Sequence, residues 1–416
     1  MTRFYGCLIV IGCVSLAGCR SAAPAHQRLL VFPVPPDQPR IQFLTTFNGA
    51  DGVTGKTTPF EDFILGEERQ AGRVMNKPYG VAARDGVVYV CDTKAIALCR
   101  LDFKNRTYAL LGTRGPGRLR KPINIAIDSL GYKFVADPVR KEIVVFGPDD
   151  RYVKAFAIPE PCRPVDVAVY QDELFVLDND ESCRILVLDR TTGKVLRSFG
   201  EPGGGPGQFK IPNSLCVDAD GYLYVSDTHN WRIQKLTRDG TPVWQKGMAG
   251  YHLGQFGRPR GIRAAPNGVI YVVDGATEIV QMFDTDGHTL MYFGGPGNTP
   301  GALVLPASLA VDASSLPYFK QYIHPDFKAE YLLFVASQYG KHLISVYAFG
   351  SFPKGYRFSA GQIAELPKAP PEKGIGDVSG KPEPVESPHS GLVPPQPGDT
   401  PPPKRDAPAT GKPDAP

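Results

Sequence analysis

Short apolar runs alternate with turn sequences through residues 75–350, and they recur as copies of one unit. The clearest copy has apolar runs at 215–217, 222–226, 232–236 and 243–246, separated by turns such as 218–221 and Asp239-Gly240. β-rich runs of this length, broken by Asp-Gly turns, are typical of an antiparallel sheet whose strands follow one another in order. The pattern therefore predicts a four-stranded meander in each copy.

A short sequence that ends in aspartate marks the second strand of each copy. Tyr-Val-Ser-Asp begins at Tyr224, and related sequences begin at residues 89, 134, 175, 271 and 334. The aligned positions are Asp92, Asp137, Asp178, Asp227, Asp274 and Ser337. A period of roughly 40–45 residues with four strands is that of a β-propeller blade. Because each copy has an apolar face that only its neighbours can cover, six copies predict an all-β, six-bladed β-propeller.

The repeat resembles a known family. Residues 224–234 follow the pattern Tyr-Val-x-Asp-Thr-x-Asn-x-Arg-Ile, and a Pro-x-Gly sequence opens two copies, at 78–80 and 259–261. This is similar to the NHL repeat, and the similarity covers about residues 75–350. It implies that the aspartate ends the second strand and binds the following turn through its carboxylate. We therefore interpret Asp227, His229 and Arg232 as parts of a structural unit rather than as a catalytic site.

The N-terminus predicts export. A basic start and a short apolar run, too short for a membrane span, are typical of a signal peptide over residues 1–18. Leu16-Ala17-Gly18-Cys19 resembles the bacterial lipobox, which implies cleavage before Cys19 and its acylation; an ordinary signal peptide with a chance cysteine is the alternative. Arg20 follows where some inner-membrane lipoproteins have aspartate, which favours the outer membrane. We expect an exported protein attached to the cell envelope by its lipid.

The remaining segments divide the chain further. Residues 19–39 are rich in Ala, Pro and polar residues and predict a tether, and residues 40–350 comprise the propeller. The segment 40–48 is an isolated strand that we expect to close the ring as the outer strand of the sixth blade. A short helix is expected at 60–67. Residues 351–416 form the C-terminal tail, and from about Pro367 proline, glycine and charge dominate, which predicts a mostly disordered tail that is either a spacer or a partner-binding segment.

The net charge of +4 is mild, but its distribution is informative. Basic residues stand beside the prolines that open the copies, and in a propeller these positions fall on one face near the mouth of the central channel. The residues are Lys77, Lys121, Arg163, Lys210, Arg258 and Arg260. They predict a ring that attracts an anionic ligand or an acidic partner. Basic residues are also common at this position of the repeat without such a role. Because the protein is expected to be exported, no nucleic-acid partner is expected.

Five of the eight cysteines remain after the signal and the lipid site are set aside. Export permits disulfides. Cys91 and Cys99 flank the turn of one hairpin, and Cys162 and Cys183 belong to segments expected to share a face, so we expect a bridge in each pair, although connectivity does not follow from sequence. Cys216 is expected to be a free thiol. No haem-attachment sequence and no metal-spaced cysteine cluster is present, so no cofactor is predicted.

Enzymatic chemistry has little support in the sequence. Some propellers that resemble this one are lyases, and the peptide-amidating lyase holds zinc with three channel histidines. Here only His229 and His252 are expected near the face of the basic ring, at positions that the repeat does not relate. The glycines of 203–207 lack the Lys-Ser/Thr of a phosphate-binding loop. No catalytic or metal-binding residue is predicted, and the enzymatic status stays open.

The copy before the C-terminus carries an insertion at 313–330 with aromatic residues. Tyr318, Phe319, Tyr322, His324 and Phe327 are expected either to form a partner-docking loop or to pack on the underside of the propeller. Lipoproteins similar to this chain are often found in bacteria rich in multihaem cytochromes. We therefore expect a monomeric, membrane-anchored interaction scaffold of the envelope, associated with extracellular electron-transfer complexes. The alternative is a ligand-binding or lyase-type propeller that uses the basic channel mouth.

Overall fold

Six antiparallel sheets, five with four strands and one with five, form the six blades that the repeat predicts. The computed structural model describes residues 28–55, 73–359 and 361–367. The expected signal peptide, Cys19, the helix at 60–67 and the tail from residue 368 lie outside the described residues. None of the helices in the described ranges is long and apolar enough to cross a bilayer.

Each of the first five blades runs outward from an inner strand, and its four strands follow that order along the chain. Blade 1 comprises Pro78–Arg84, Val87–Asp92, Ala97–Asp102 and Thr107–Leu111. Blade 2 comprises Asn124–Ile127, Lys133–Asp137, Glu142–Phe146 and Tyr152–Ala157. Blade 3 comprises Pro164–Tyr170, Glu173–Asp178, Arg184–Asp189 and Val195–Phe199. Blade 4 comprises Ser214–Val217, Leu223–Asp227, Arg232–Leu236 and Pro242–Lys246. Blade 5 comprises Pro259–Ala264, Ile270–Asp274, Ile279–Phe283 and Thr289–Gly294.

Blade 6 is assembled from both ends of the propeller sequence. Its first three strands are Pro306–Asp312, Lys328–Ser337 and Ile344–Ser351, and Ile41–Phe47 is the fourth. The fourth strand pairs antiparallel with the third, from Ile41 opposite Phe349 to Phe47 opposite Ile344. The segment expected to close the ring therefore occupies the fourth position of this blade, where the other blades have their outer strand.

Smaller elements complete the described chain. Helical turns lie at Asp51–Thr54, Thr228–Asn230, Leu316–Phe319 and Lys320–Tyr322. Glu201–Pro202 and Gln208–Phe209 form a two-stranded parallel pair between blades 3 and 4.

Apolar side chains fill the space between neighbouring blades. Six buried clusters correspond to the six contacts around the ring; one of them joins blade 6 to blade 1. Each inner strand contacts the inner strands of both neighbouring blades, including the last with the first. Because no blade can cover its own apolar face, the closed ring is what removes these surfaces from water.

The predicted boundaries at both ends of the propeller are partly wrong. Val31–Phe32 adds a fifth strand to blade 6, and Leu30, Val31 and Phe32 are buried, so residues 28–39 are not a free tether. After the last blade strand, Phe352 is buried and stacks on Tyr356 with ring centroids 4.7 Å apart. The described residues at 352–367 therefore belong with the propeller rather than with the tail. Because proline-containing segments flank both short apolar runs, the sequence did not indicate that these runs pack on the propeller.

The expected docking residues mostly face the protein. The five are Tyr318, Phe319, Tyr322, His324 and Phe327. Phe319 and Phe327 are buried, and His324 lies 5.5 Å from the ring of Phe352. The ring of Tyr318 covers Gly86, where an added Cβ would lie 2.5 Å from it. Only Tyr322 is substantially exposed, at 41%. The insertion therefore packs on the underside of the propeller, the second of the two alternatives.

Both predicted disulfides are wrong, because all five cysteines in the described residues are free thiols. Cys99 is directly opposite Val90, so the neighbouring Cys91 projects from the other side of the sheet. Cys91 packs between blades 1 and 2, and Cys99 packs between blades 6 and 1. Cys162 and Cys183 are likewise buried in different clusters, on either side of blade 3.

Candidate functional site

The blade aspartates fasten the segment that leads into each inner strand. Each of five carboxylates, at the end of the second strand, accepts a hydrogen bond from a backbone N–H of that segment. The pairs are Asp92 with Lys77 at 3.1 Å, Asp137 with Lys121 at 3.1 Å, Asp178 with Arg163 at 2.8 Å, Asp227 with Lys210 at 2.7 Å and Asp274 with Arg258 at 2.8 Å. The interpretation of Asp227 as a structural residue is consistent with this repeated contact.

The five residues whose N–H groups bind the blade aspartates are therefore equivalent in the repeat, and all five are basic. We call them the cationic ring: Lys77, Lys121, Arg163, Lys210 and Arg258. Lys77 is partly exposed and the other four are exposed. In blade 6 the corresponding donor is Val304, whose N–H lies 3.3 Å from the hydroxyl of Ser337. The blade that has lost the aspartate has therefore also lost the cation.

Arg260 does not belong to this ring, although the sequence predicts it there. It is only 4% exposed. Arg260 follows Pro259 directly. In each blade, the residue directly after the opening proline lies nearer the central channel than the cationic ring does. The six residues are Tyr79, Ile123, Val165, Asn213, Arg260 and Ala307. Four of them are buried, but Tyr79 and Asn213 are only partly buried, so the burial of Arg260 depends on its contacts with Tyr79 and Gln338.

Three of these six side chains meet across the mouth of the channel. The hydroxyl of Tyr79 in blade 1 donates to Oδ1 of Asn213 in blade 4 at 2.9 Å, although these blades are opposite one another in a ring of six. The guanidinium carbon of Arg260 lies 4.8 Å from the centroid of the Tyr79 ring. Nη1 of Arg260 also donates to Oε1 of Gln338 in blade 6 at 3.2 Å. We call Tyr79, Asn213, Arg260 and Gln338 the channel cap.

Inside the ring, the inner strands enclose a cavity of about 290 Å³ lined mainly by Ala, Val, Ile and Leu. Arg263 lies in its wall, where four of the other blades have alanine. Its Nη1 is 3.4 Å from Oδ2 of the fully buried Asp166 and 3.1 Å from the hydroxyl of Ser214. Burial raises the pKa of Asp166, against the opposing effects of Arg263 and Ser214. This ion pair joins blades 3, 4 and 5 and is satisfied within the fold.

Neither the Asp-His-Arg cluster nor the glycine loop forms a reactive site. Arg232 donates to Asp227 and to the carbonyl oxygens of Gly204 and Gly205, at 2.7 and 2.9 Å respectively. Burial raises the pKa of Asp227, although hydrogen bonds and Arg232 oppose the rise. The loop therefore presents carbonyl groups to an arginine, which is the opposite of a phosphate-binding arrangement.

The histidines considered for a zinc site are not gathered in the channel. His229 and His252 are exposed on the loops of blade 4 and of the link to blade 5, and neither lines the channel cavity. Asp284, Asp286 and His288 lie close together, but on a largely exposed outer turn of blade 5. Exposed acidic turns of this kind are common without any ion.

The sequence indicates the basic residues near the blade-opening prolines, but it does not indicate the channel cap. Tyr79, Asn213 and Gln338 carry no chemical signal by themselves. Aligning the copies on their opening prolines would have placed Tyr79, Asn213 and Arg260 at one position of the repeat. The same alignment would have shown that Arg263 occupies a position at which every other blade has alanine or cysteine.

Comparisons with known proteins agree with the fold. No protein-family model matches the chain. It is 26% identical over 179 residues to NHL repeat-containing protein 3 of Mus musculus, covering 39% of this chain and 51% of that one. It is 36% identical over 123 residues to peptidyl-glycine alpha-amidating monooxygenase B of Xenopus laevis, covering 27% of this chain and 13% of that one. The chain spans about half or less of these relatives.

One solved structure, a protein of unknown function from Bacteroides thetaiotaomicron, matches with a TM-score of 0.52 at 17% identity. The match covers 74% of this chain and 75% of that one. At this identity the likeness concerns the fold alone. The sequence likenesses and the coordinates together establish an NHL-repeat-like, six-bladed β-propeller.

Proposed function

We propose that this NHL-like propeller is a non-enzymatic interaction module of the bacterial cell envelope, which holds an acidic protein partner on the face that bears the cationic ring. The observation that carries the proposal is the repetition of a basic side chain at one position in five blades. Cations so arranged on one face combine into a positive field that attracts and orients an acidic surface.

The ring is available for such a contact. Within the described ranges, none of its five side chains has a carboxylate oxygen within 4 Å. Lys77 lies over the ring of Tyr339, with Nζ 5.1 Å from the centroid. A blade aspartate holds the backbone of each residue of the cationic ring, whereas no carboxylate of the described residues pairs with its side chain. The positions are therefore rigid, and the charges remain uncompensated.

The proposed place of action follows from the lipobox-like sequence before Cys19. A diacylated or triacylated cysteine provides more than one buried chain, which is enough for stable membrane attachment. The lipoproteins that this chain resembles suggest multihaem cytochrome complexes of the envelope as the class of partner. An acidic surface on such a complex is what the cationic ring requires.

Affinity capture from the membranes of the source bacterium tests the proposal. One variant reverses the charge of Lys121, Arg163, Lys210 and Arg258 to glutamate. The matched control reverses four exposed cations on the opposite face: Lys104, Arg106, Lys194 and Lys320. We expect the native protein and the control to retain the same envelope proteins at low salt, and the ring variant to lose them. Retention by the native protein should fall as salt rises, because exposed charges are screened.

An unchanged set of captured proteins with the ring variant would refute the role of this face. Metal content, measured on the same purified sample, addresses the lyase alternative. Zinc bound at one equivalent per chain, together with no captured protein, would favour the lyase alternative over an interaction module.

A further inference from the structure

Two arginines are buried in the described part of the chain, and only one of them has a counter-charge there. Arg232, 6% exposed, has a carboxylate oxygen of Asp227 at 2.9 Å. Arg260, 4% exposed, has none within 4 Å among the described residues. A buried cation is costly unless an opposite charge lies beside it. A counter-charge for Arg260 would therefore have to come from outside the described part of the chain.

The side of the Arg260 guanidinium that faces away from Gln338 has a defined hydrogen-bonding geometry. Nη1 is engaged by Gln338, and Nε is buried with no hydrogen-bond partner. Nε and Nη2 form one edge of the guanidinium, with two parallel N–H groups. This edge matches the two oxygens of a carboxylate, which arginine binds in a bidentate manner.

The surrounding residues hold Arg260 in place. Gly275 packs against its side chain so closely that an added Cβ would lie 2.7 Å from Cδ. The aromatic ring of Tyr79 covers the guanidinium and is itself held by Asn213. A preorganised arginine loses little conformational freedom on binding a ligand. The cationic ring surrounds this position on the same face and raises the local concentration of anions.

We propose that the channel cap is a binding site for one carboxylate group, received by the Nε and Nη2 edge of Arg260. Two sources share this chemistry: an Asp, Glu or C-terminal carboxylate of a docked acidic protein, and a free small dicarboxylate. Nε has no exposed surface, so the edge must be uncovered when the group enters, and the ring of Tyr79 lies against the guanidinium. The site is separate from the cationic ring; the first source rests on the proposed function, whereas binding of a free dicarboxylate does not.

Thermal unfolding of the purified full-length chain, with and without ligand, tests this site. The probes are succinate, a hexaglutamate peptide and inorganic phosphate, each compared with sodium chloride at equal ionic strength. Ligand that binds the folded state raises Tm in a concentration-dependent way. We expect succinate, the peptide or both to raise Tm more than phosphate does, since phosphate is not planar. The probe that is bound more tightly identifies the source of the carboxylate.

Arg260→Gln is the decisive variant, and Arg106→Gln is its control, because it removes an equal charge at an exposed position on the opposite face. We expect Arg260→Gln to lose the Tm response, with a ligand-free Tm equal to or above that of the native protein, since a buried unpaired cation is gone. Arg106→Gln should keep the response. Tyr79→Phe, which frees the ring from Asn213, should lower the Kd for the bound carboxylate.

Three results would overturn the site. The first is the absence of a Tm response in the native protein to either carboxylate probe. The second is an equal response of Arg260→Gln and the native protein. The third is loss of the Tm response in the control variant as well as in Arg260→Gln, because general charge rather than the channel cap would then account for binding. Loss of envelope partners from the cationic-ring variant, with the succinate response intact, would separate the two proposals.

Discussion

Arg232 donates from Nε to the carboxylate of Asp227 at 2.9 Å, and the same guanidinium donates to the carbonyl oxygens of Gly204, Gly205 and Gln208. One ion pair therefore holds the glycine-rich link between blades 3 and 4 against the loop of blade 4. Both side chains are buried, so the pair is shielded from solvent.

Asp227→Ala should lower the free energy of unfolding by about 3–5 kcal/mol, because it leaves the guanidinium of Arg232 buried without its counter-charge. Urea unfolding followed by circular dichroism measures the change. Asp220→Ala, at an exposed position of the same blade, is the control and should change stability by less than about 0.5 kcal/mol. A similar small effect for both variants would show that the ion pair does not hold this link.

Ile41→Ala should destabilise the whole ring, although it lies in a strand outside the repeats. Ile41 is fully buried in the cluster between blades 5 and 6, and truncation of such a side chain costs about 2–5 kcal/mol. Leu290→Ala, at a site that is 50% exposed, is the control. Calorimetry should show one cooperative transition at lower Tm for Ile41→Ala. A separate early transition would mean that the closing strand is not coupled to the other blades.

The thiols should be unreactive in the folded protein. Burial raises the pKa of Cys99 and of Cys216 to about 12, and raises that of Cys91, Cys162 and Cys183 as well. The thiol form, which is the poor nucleophile, therefore predominates at neutral pH. A chain starting at residue 20 should incorporate no iodoacetamide when native and five equivalents in guanidinium chloride without reductant. Fewer than five in denaturant would indicate a disulfide.

Asp102 should make stability depend on pH under acid conditions. Burial alone would raise its pKa, but hydrogen bonds from Asn105 and the ion pair with Arg100 outweigh burial and lower the pKa. A lowered folded-state pKa contributes stability above the unfolded value of about 3.9, and this stability is lost as pH falls through the folded-state value. Asp102→Asn should therefore reduce the unfolding free energy at pH 7 more than at pH 2.5. Equal reductions at both values would contradict this assignment.

The repeat made the architecture predictable, because turn residues and apolar positions recur at the same place in each blade. Asp92 and its equivalents could be placed at strand ends from the sequence, and the cationic side chains could be assigned to one face. The burial of Arg260 could not be predicted from the sequence, since it depends on Tyr79 and Gln338 from other blades. The inward packing of Phe319 depends on the underside of blades 1 and 6, which no local pattern describes. Pairing of Leu29 with Ile363 also joins residues far apart in the chain.

The fourth strand of blade 6 has a consequence for the order of synthesis. Ile41–Phe47 is synthesised before the six repeats, whereas its partner Ile344–Ser351 follows about three hundred residues later, so this contact has a high entropic cost of closure. The other blades can form as they emerge, but the edge of the earliest strand stays open until the last blade is complete. A chain that stops before residue 351 would therefore expose unpaired strand edges at both ends and would be prone to aggregate.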